Sequence, residues 1–199
     1  MDDTREHIIQ VAGRLFLQRN YDGVSIHDIT QAVGMTKGAL YHHFPSKEAL
    51  FEEVASGLLA GYRTDFSLLP TGSLRGFYTA LVANFRTREG NTTPAHPSSD
   101  LEPDINFHNL LWDAVRILPG FRATVETFHN LERAAWTEAI QAAIDRGEIR
   151  DGLDAHKLAK IFAAIPDGVG ITSLLKGGPA SRTAEILDLW ESLYLSLLP

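Results

Sequence analysis

Seven residues between Ser25 and Lys47 have the types and spacing to hold a nucleic acid: Ser25, Thr36, Lys37, Gly38, Tyr41, His42 and Lys47. At helical spacing, Lys37, Gly38, Tyr41 and His42 fall on the side of a short segment opposite Leu40 and Phe44. A mid-helix glycine costs about 1 kcal/mol relative to alanine, and close approach of the backbone to DNA is a physical reason to keep one. On that outer side Lys37, Gly38 and His42 can reach base edges in a major groove. Tyr41 and Lys47 suit phosphates, Lys47 with help from the start of a further helix, and Ser25 and Thr36 add hydroxyl contacts. His43 points to the other side and is expected to pack inside.

The elements that must position these residues can be read locally. Ser25 is a good N-cap, and Asp28 three residues on places a carboxylate in the positive first turn. Ile26, Ile29 and Val33 then form a buried stripe, and Gly34 can take the left-handed conformation that ends a helix and turns the chain. Thr36 caps the next helix. Pro45 stops it by disfavouring helical geometry at Phe44, and Ser46 caps again. Helix, tight turn and short second helix make the layout of a helix-turn-helix reader. Before it, Thr4 to Arg19 reads as a helix with Ile8, Ala12, Leu15 and Phe16 inward, and Tyr21, Asp22 and Gly23 form its exit turn.

The stretch GMTKGALYHHFPSKEAL resembles the recognition-helix signature of TetR/AcrR-type transcriptional regulators, with Gly38, Leu40, Tyr41, His43, Phe44, Ser46, Lys47 and Leu50 in the matching places. Upstream, Ala12, Phe16, Tyr21, Gly23 and Ile29 fit the same pattern. The resemblance covers the first quarter of the chain closely and the remainder by helix number and length. It implies a homodimeric repressor of palindromic double-stranded DNA, released by a small, largely apolar effector, with the reader at 1–47 and a ligand-binding and dimerisation domain at 48–199. In such repressors aromatic residues on separate helices line the effector cavity. Here that set is Tyr62, Phe77, Phe85, Phe107, Trp112, Phe128 and Phe162, with the aliphatic Leu81 among them and His108 and His129 as polar handles.

Composition fits that outline. A chain of 199 residues, 44% hydrophobic, can bury a sizeable core. Without cysteine it has no disulfide or thiolate metal site, and its apolar runs stop well short of a membrane span, so a cytoplasmic protein without a membrane partner is expected. Net charge is −7, but residues 1–47 carry five Lys/Arg against five Asp/Glu, so the acidic excess lies after the reader. Few phosphates can be neutralised per subunit, which predicts a shallow salt dependence of DNA binding.

Beyond Ser46 the pattern stays helical: 46–66, 73–88, 105–118, 121–146, 154–176 and 181–198, about nine helices in an all-α chain. The segment 90–104, with three prolines, reads as an exposed loop. The helix from Ser46 is expected to be the one continuous link between reader and remainder. The helix over 154–176 has a second face of Ala164, Gly168, Ile171 and Leu175, and the last helix has an apolar stripe including Leu189, Leu193 and Leu197. Small residues that allow close approach, beside leucines, predict a two-fold dimer interface there.

Other constellations carry less. Glu126 and His129 have the spacing of one half of a di-iron site, but no second copy exists, so no metal or cofactor is expected. Gly168-x-Gly170 lies inside a helix with no preceding strand and is no dinucleotide motif. With no nucleophile elbow, zincin or phosphate loop, a four-helix metal enzyme ranks behind a regulator. A helical small-molecule binding protein with a vestigial reader is the other alternative.

Overall fold

A computed structural model of the chain describes residues 3–62, 64–90, 103–176 and 182–199, without the side chains of 62, 88–90, 103–107 and 173–176. The proline-bearing segment 91–102 and the side chains of Tyr62, Phe107 and Leu175 therefore lie outside the described residues. Within them the chain is all-α. Nine α-helices follow one another: α1 (Asp3–Arg19), α2 (Ile26–Val33), α3 (Lys37–His43), α4 (Lys47–Tyr62), α5 (Leu74–Gly90), α6 (Pro103–Ile117), α7 (Phe121–Asp145), α8 (Ala155–Lys176) and α9 (Arg182–Leu197). The helix expected to run to Phe66 ends at Tyr62. Beyond it the Asp65 carboxylate accepts from Ser67 N (3.1 Å), holding Phe66–Leu68 in a 3₁₀ turn.

Contacts divide the chain into two compact units. One comprises 1–63 and 92–124, the other 64–91 and 125–199. The first unit thus contains all of α4 and α6 together with the start of α7.

In the first unit α1 packs on α2, α4 and α6, and α4 packs on α6. Its core is Ile8, Ala12 and Phe16 of α1, Ile29 of α2, Leu40 of α3 and Leu50, Phe51, Val54 and Leu58 of α4, all buried. Leu15, expected in the α1 stripe, is half-buried and Leu17 is buried in its place. Phe51 meets Phe16 edge-on (centroids 4.9 Å) and Tyr21 at 4.8 Å, closing α1 and its exit turn onto α4.

In the second unit α5 and α8 both pack on α9. An aromatic cluster fills the centre: Trp136 of α7 stacks on Phe162 of α8 (4.8 Å) and meets Phe77 of α5 (4.9 Å) and Trp190 of α9 (5.1 Å) edge-on. Pro166 sits inside α8 and has no N–H to give the carbonyl of Phe162 four residues earlier. Trp190 supplies the missing donor, its Nε1–H reaching that carbonyl at 2.9 Å. The proline therefore creates an acceptor, and α9 is fastened to α8 through it.

Candidate nucleic-acid interface

Two caps and a left-handed turn build the reader. Ser25 Oγ accepts from Asp28 N (3.1 Å) while the Asp28 carboxylate accepts from Ser25 N (2.8 Å), a reciprocal capping box on α2. The Ser25 hydroxyl also donates to Asp28, so its proton is committed within the cap. These bonds hold the Asp28 carboxyl below the usual carboxylate range. Gly34, at φ 76°, ends α2, and its N–H closes onto the Thr30 carbonyl. Thr36 Oγ1 accepts from Ala39 N (3.3 Å) and starts α3.

α3 buries Leu40, with Phe44 just beyond its end, and leaves Lys37, Gly38, Tyr41 and His42 exposed together. Lys37 Nζ lies 5.7 Å from the centre of the Tyr41 ring, so cation and phenol share one face. A Cβ added at Gly38 would meet nothing within 4 Å, so packing within the chain does not require glycine there. His43 is half-buried, its ring edge-on to His42.

Lys47, expected at phosphate, is engaged inside the reader. Its ammonium donates to the carbonyls of Tyr21 (3.0 Å) and Val24 (2.9 Å) and lies 3.8 Å from the centre of the Tyr21 ring. Those carbonyls belong to the turn leaving α1, where few backbone partners remain, so the cation fastens that turn to α4. Next to it Glu48 accepts from the Tyr21 hydroxyl (2.7 Å), which draws the Glu48 carboxyl below its ordinary range; burial, then the same bond, push the tyrosine up. Sequence reasoning missed Glu48, Asp113 and Arg116, all of which hold this turn. The only local sign was the three-residue spacing of Asp113 and Arg116 on one helix, which many surface helices share.

Residues 8–54, which hold the whole of this arrangement, match the family model described as bacterial regulatory proteins, tetR family. Over nearly the full chain the sequence is 27% identical to the transcriptional repressor KstR2 of Mycolicibacterium smegmatis (187 residues, 89% of this chain and 82% of that protein). It is 25% identical to the transcriptional repressor AcnR of Corynebacterium diphtheriae, covering 98% and 93% of the two chains. The chain carries a TetR-family DNA-binding region over residues 8–54. It is a DNA-binding transcriptional regulator, not an enzyme. The fold agrees along the whole length: a regulator from Saccharomonospora viridis solved with choline superposes with a TM-score of 0.70 (21% identity, 96% and 95% coverage). PfmR of Thermus thermophilus gives 0.67 at 20% identity, covering 96% and 98%.

The effector set expected from the TetR resemblance draws on both units. Phe77, Leu81 and Phe162 are fully buried in the second unit, with Phe85 packed against them and 6.1 Å from Trp190. Phe128 and His129 are half-buried on α7, ring to ring at 5.6 Å, and the Glu132 carboxylate beside His129 raises that imidazole's proton affinity. Trp112 and His108 lie on α6, in the other unit, and Trp112 is 72% exposed. A groove of about 750 Å³ opens instead between α7 and α8, lined by Asn130, Arg133, Glu138, Gln141, His156 and Lys160 among others, none of them in the expected set. Within the aromatic cluster Trp136 stands apart: it is fully buried, and its Nε1–H finds no acceptor among the described residues.

On α8 and α9, Ala164, Gly168, Ile171 and Leu189 are exposed as a dimer surface requires, with Ile161 exposed beside them. Leu193 is half-buried against the core. Leu197 needs correction: at 4% exposure it belongs to the core of its own subunit, because the last turn of α9 is drawn inward where Arg150 N donates to its carbonyl (2.9 Å).

Proposed function

We propose that the chain is a repressor that binds a palindromic operator as a homodimer through α3 and lets go when a small, largely apolar effector enters its second unit. The reading face carries this reading: Lys37, Gly38, Tyr41 and His42 exposed together on a helix anchored by Leu40 and Phe44. Lys37 and His42 read base edges, Gly38 lets the backbone come close, and Tyr41 and Thr36 hold phosphates. Ser25 and Lys47 act from behind, as cap and fastening. The names of KstR2 and AcnR as repressors support the direction of regulation.

For the effector, the supporting observation is the Trp136 indole. A buried N–H without an acceptor costs about 1 to 3 kcal/mol, and a ligand oxygen placed among Phe77, Phe162 and Trp190 would remove that cost. The effector is therefore a neutral apolar molecule with a hydrogen-bond acceptor. Selection from random duplexes tests the reading as a whole: an enriched palindrome is expected, and a pool without any enriched motif would leave a small-molecule binding protein. A ligand identified on the purified protein must bind more weakly in the presence of operator DNA, because coupling is reciprocal.

A further inference from the structure

The geometry points to Asp113 and Arg116 of α6 as a latch on the turn between α1 and α2, positioning the reader for DNA. At Tyr21 the chain has just left α1 through Asn20, which takes the left-handed conformation (φ 58°). The Tyr21 N–H is thus outside the α1 ladder in a residue only 6% exposed. Asp113 Oδ2 takes it at 2.8 Å, across 92 residues of sequence. The other oxygen, Oδ1, is held by Arg116 Nη2 at 2.9 Å, and the same Nη2 reaches Asp22 Oδ2 at 2.7 Å. One guanidinium therefore joins the acceptor of the Tyr21 N–H to the next residue of the turn.

The turn is gripped from both sides. α6 holds the N–H of Tyr21 and the carboxylate of Asp22, while α4 holds the carbonyl and hydroxyl of Tyr21 through Lys47 and Glu48. It is also closely packed, since a Cβ at Gly23 would come within 2.3 Å of the Arg19 carbonyl oxygen. Ser25, the cap from which α2 starts, follows directly, and α3 follows α2 through a three-residue turn. A turn fixed at Tyr21 and Asp22 fixes the direction in which α2 leaves. With it goes the placement of Lys37 and His42, which must meet base edges within hydrogen-bond distance. None of the latch residues touches DNA in this scheme; they position those that do.

This rests on the DNA-binding reading, and the sign of its test separates it from plain electrostatics. Removing a carboxylate from a chain of net charge −7 should strengthen attraction to DNA, whereas releasing the latch should weaken specific binding. The measurement is affinity of full-length protein for its selected duplex, with amide exchange at Tyr21 followed by NMR. Asp113→Ala is expected to lose about tenfold in affinity and all slow exchange at Tyr21. Asp22→Ala, at a side chain 70% exposed and safe for folding, should lose about two- to fivefold. Glu52→Ala, an exposed α4 carboxylate with no ion pair among the described residues, should bind as tightly as wild type or tighter. Asp113→Asn keeps an oxygen for Tyr21 and should retain most of the affinity. The salt slope should be unchanged throughout, since no phosphate contact is removed. If Asp22→Ala and a folded Asp113→Ala bind specific DNA as well as wild type or better, the latch is overturned. Wild-type protein that enriches no duplex would overturn the DNA reading, and the latch with it.

Discussion

Lys47 shows how one residue can match a motif and serve another purpose. Its position fits a phosphate ligand, but its ammonium is spent on two backbone carbonyls of the turn before α2. Replacing it with methionine keeps the stem over the Tyr21 ring and removes the donor. Denaturant unfolding should then show a loss of about 1 to 2 kcal/mol, the cost of taking the charged donor from the Val24 carbonyl and leaving the Tyr21 carbonyl with the long bond from Val24 N (3.4 Å). Lys37, exposed beside the Tyr41 ring, should behave oppositely: Lys37→Ala costs DNA affinity and leaves stability within about 0.5 kcal/mol of wild type. Equal stability for Lys47→Met and wild type, with DNA affinity lost, would return Lys47 to the phosphate role.

Two helices carry predictions of their own. α2 depends on its capping box, and Asp28 and Glu48 are both held below the ordinary carboxylate range, Asp28 chiefly by the Ser25 hydroxyl and Glu48 chiefly by the Tyr21 hydroxyl. A depressed folded-state pKa contributes stability above the unfolded value and loses it as pH falls through the folded one. Unfolding free energy should therefore show no loss from these groups between neutral pH and roughly 4, and fall below that. Asp28→Asn should be less stable than wild type at pH 7 and converge with it in acid; a constant difference down to the lowest pH would show that the Asp28 charge is not responsible. α8 depends on Trp190, whose indole serves the carbonyl that Pro166 leaves open. Trp190→Phe should cost about 2 to 4 kcal/mol, from the orphaned carbonyl and lost volume. In the Pro166→Ala background the same substitution should cost less, by about 1 kcal/mol, because a helical N–H then fills the gap; thermal unfolding of the four proteins gives the cycle.

For the whole molecule the proposed dimer surface is the exposed face of α8 and α9. Ile161, Ile171 and Leu189 are large apolar side chains exposed by 41% to 51%, and Ala164 and Gly168 give a low point between them. A Cβ at Gly168 would meet nothing within its own subunit, so Gly168→Arg should fold and fail to dimerise. Leu189→Asp should do the same, whereas Leu193 and Leu197 pack against the core and would unfold the subunit if charged. In the proposed dimer two recognition helices enter successive major grooves about 34 to 36 Å apart, so a monomeric variant should lose roughly a hundredfold or more in affinity for the palindrome while binding a half-site as before. Sedimentation of either variant as a stable dimer would place the interface elsewhere.

The reader was legible in the sequence because its information is local. Ser25 with Asp28, Gly34, Thr36 and Pro45 each act within four residues, so their types and spacing determined two short helices, the turn between them and an exposed face of Lys37, Gly38, Tyr41 and His42. The all-α class and the approximate helix bounds followed in the same way from apolar periodicity. What tertiary structure decided is every pairing across the chain. That Asp113 serves Tyr21, that Trp190 completes α8, that Trp112 lies in a different unit from Phe77 and Phe162, and that Leu197 faces its own core depend on contacts between residues 28 to 92 apart, or more. An apolar stripe states only that a helix has a buried face; which neighbour covers it is set by how all the helices fill space together, and no residue carries that in its type or spacing.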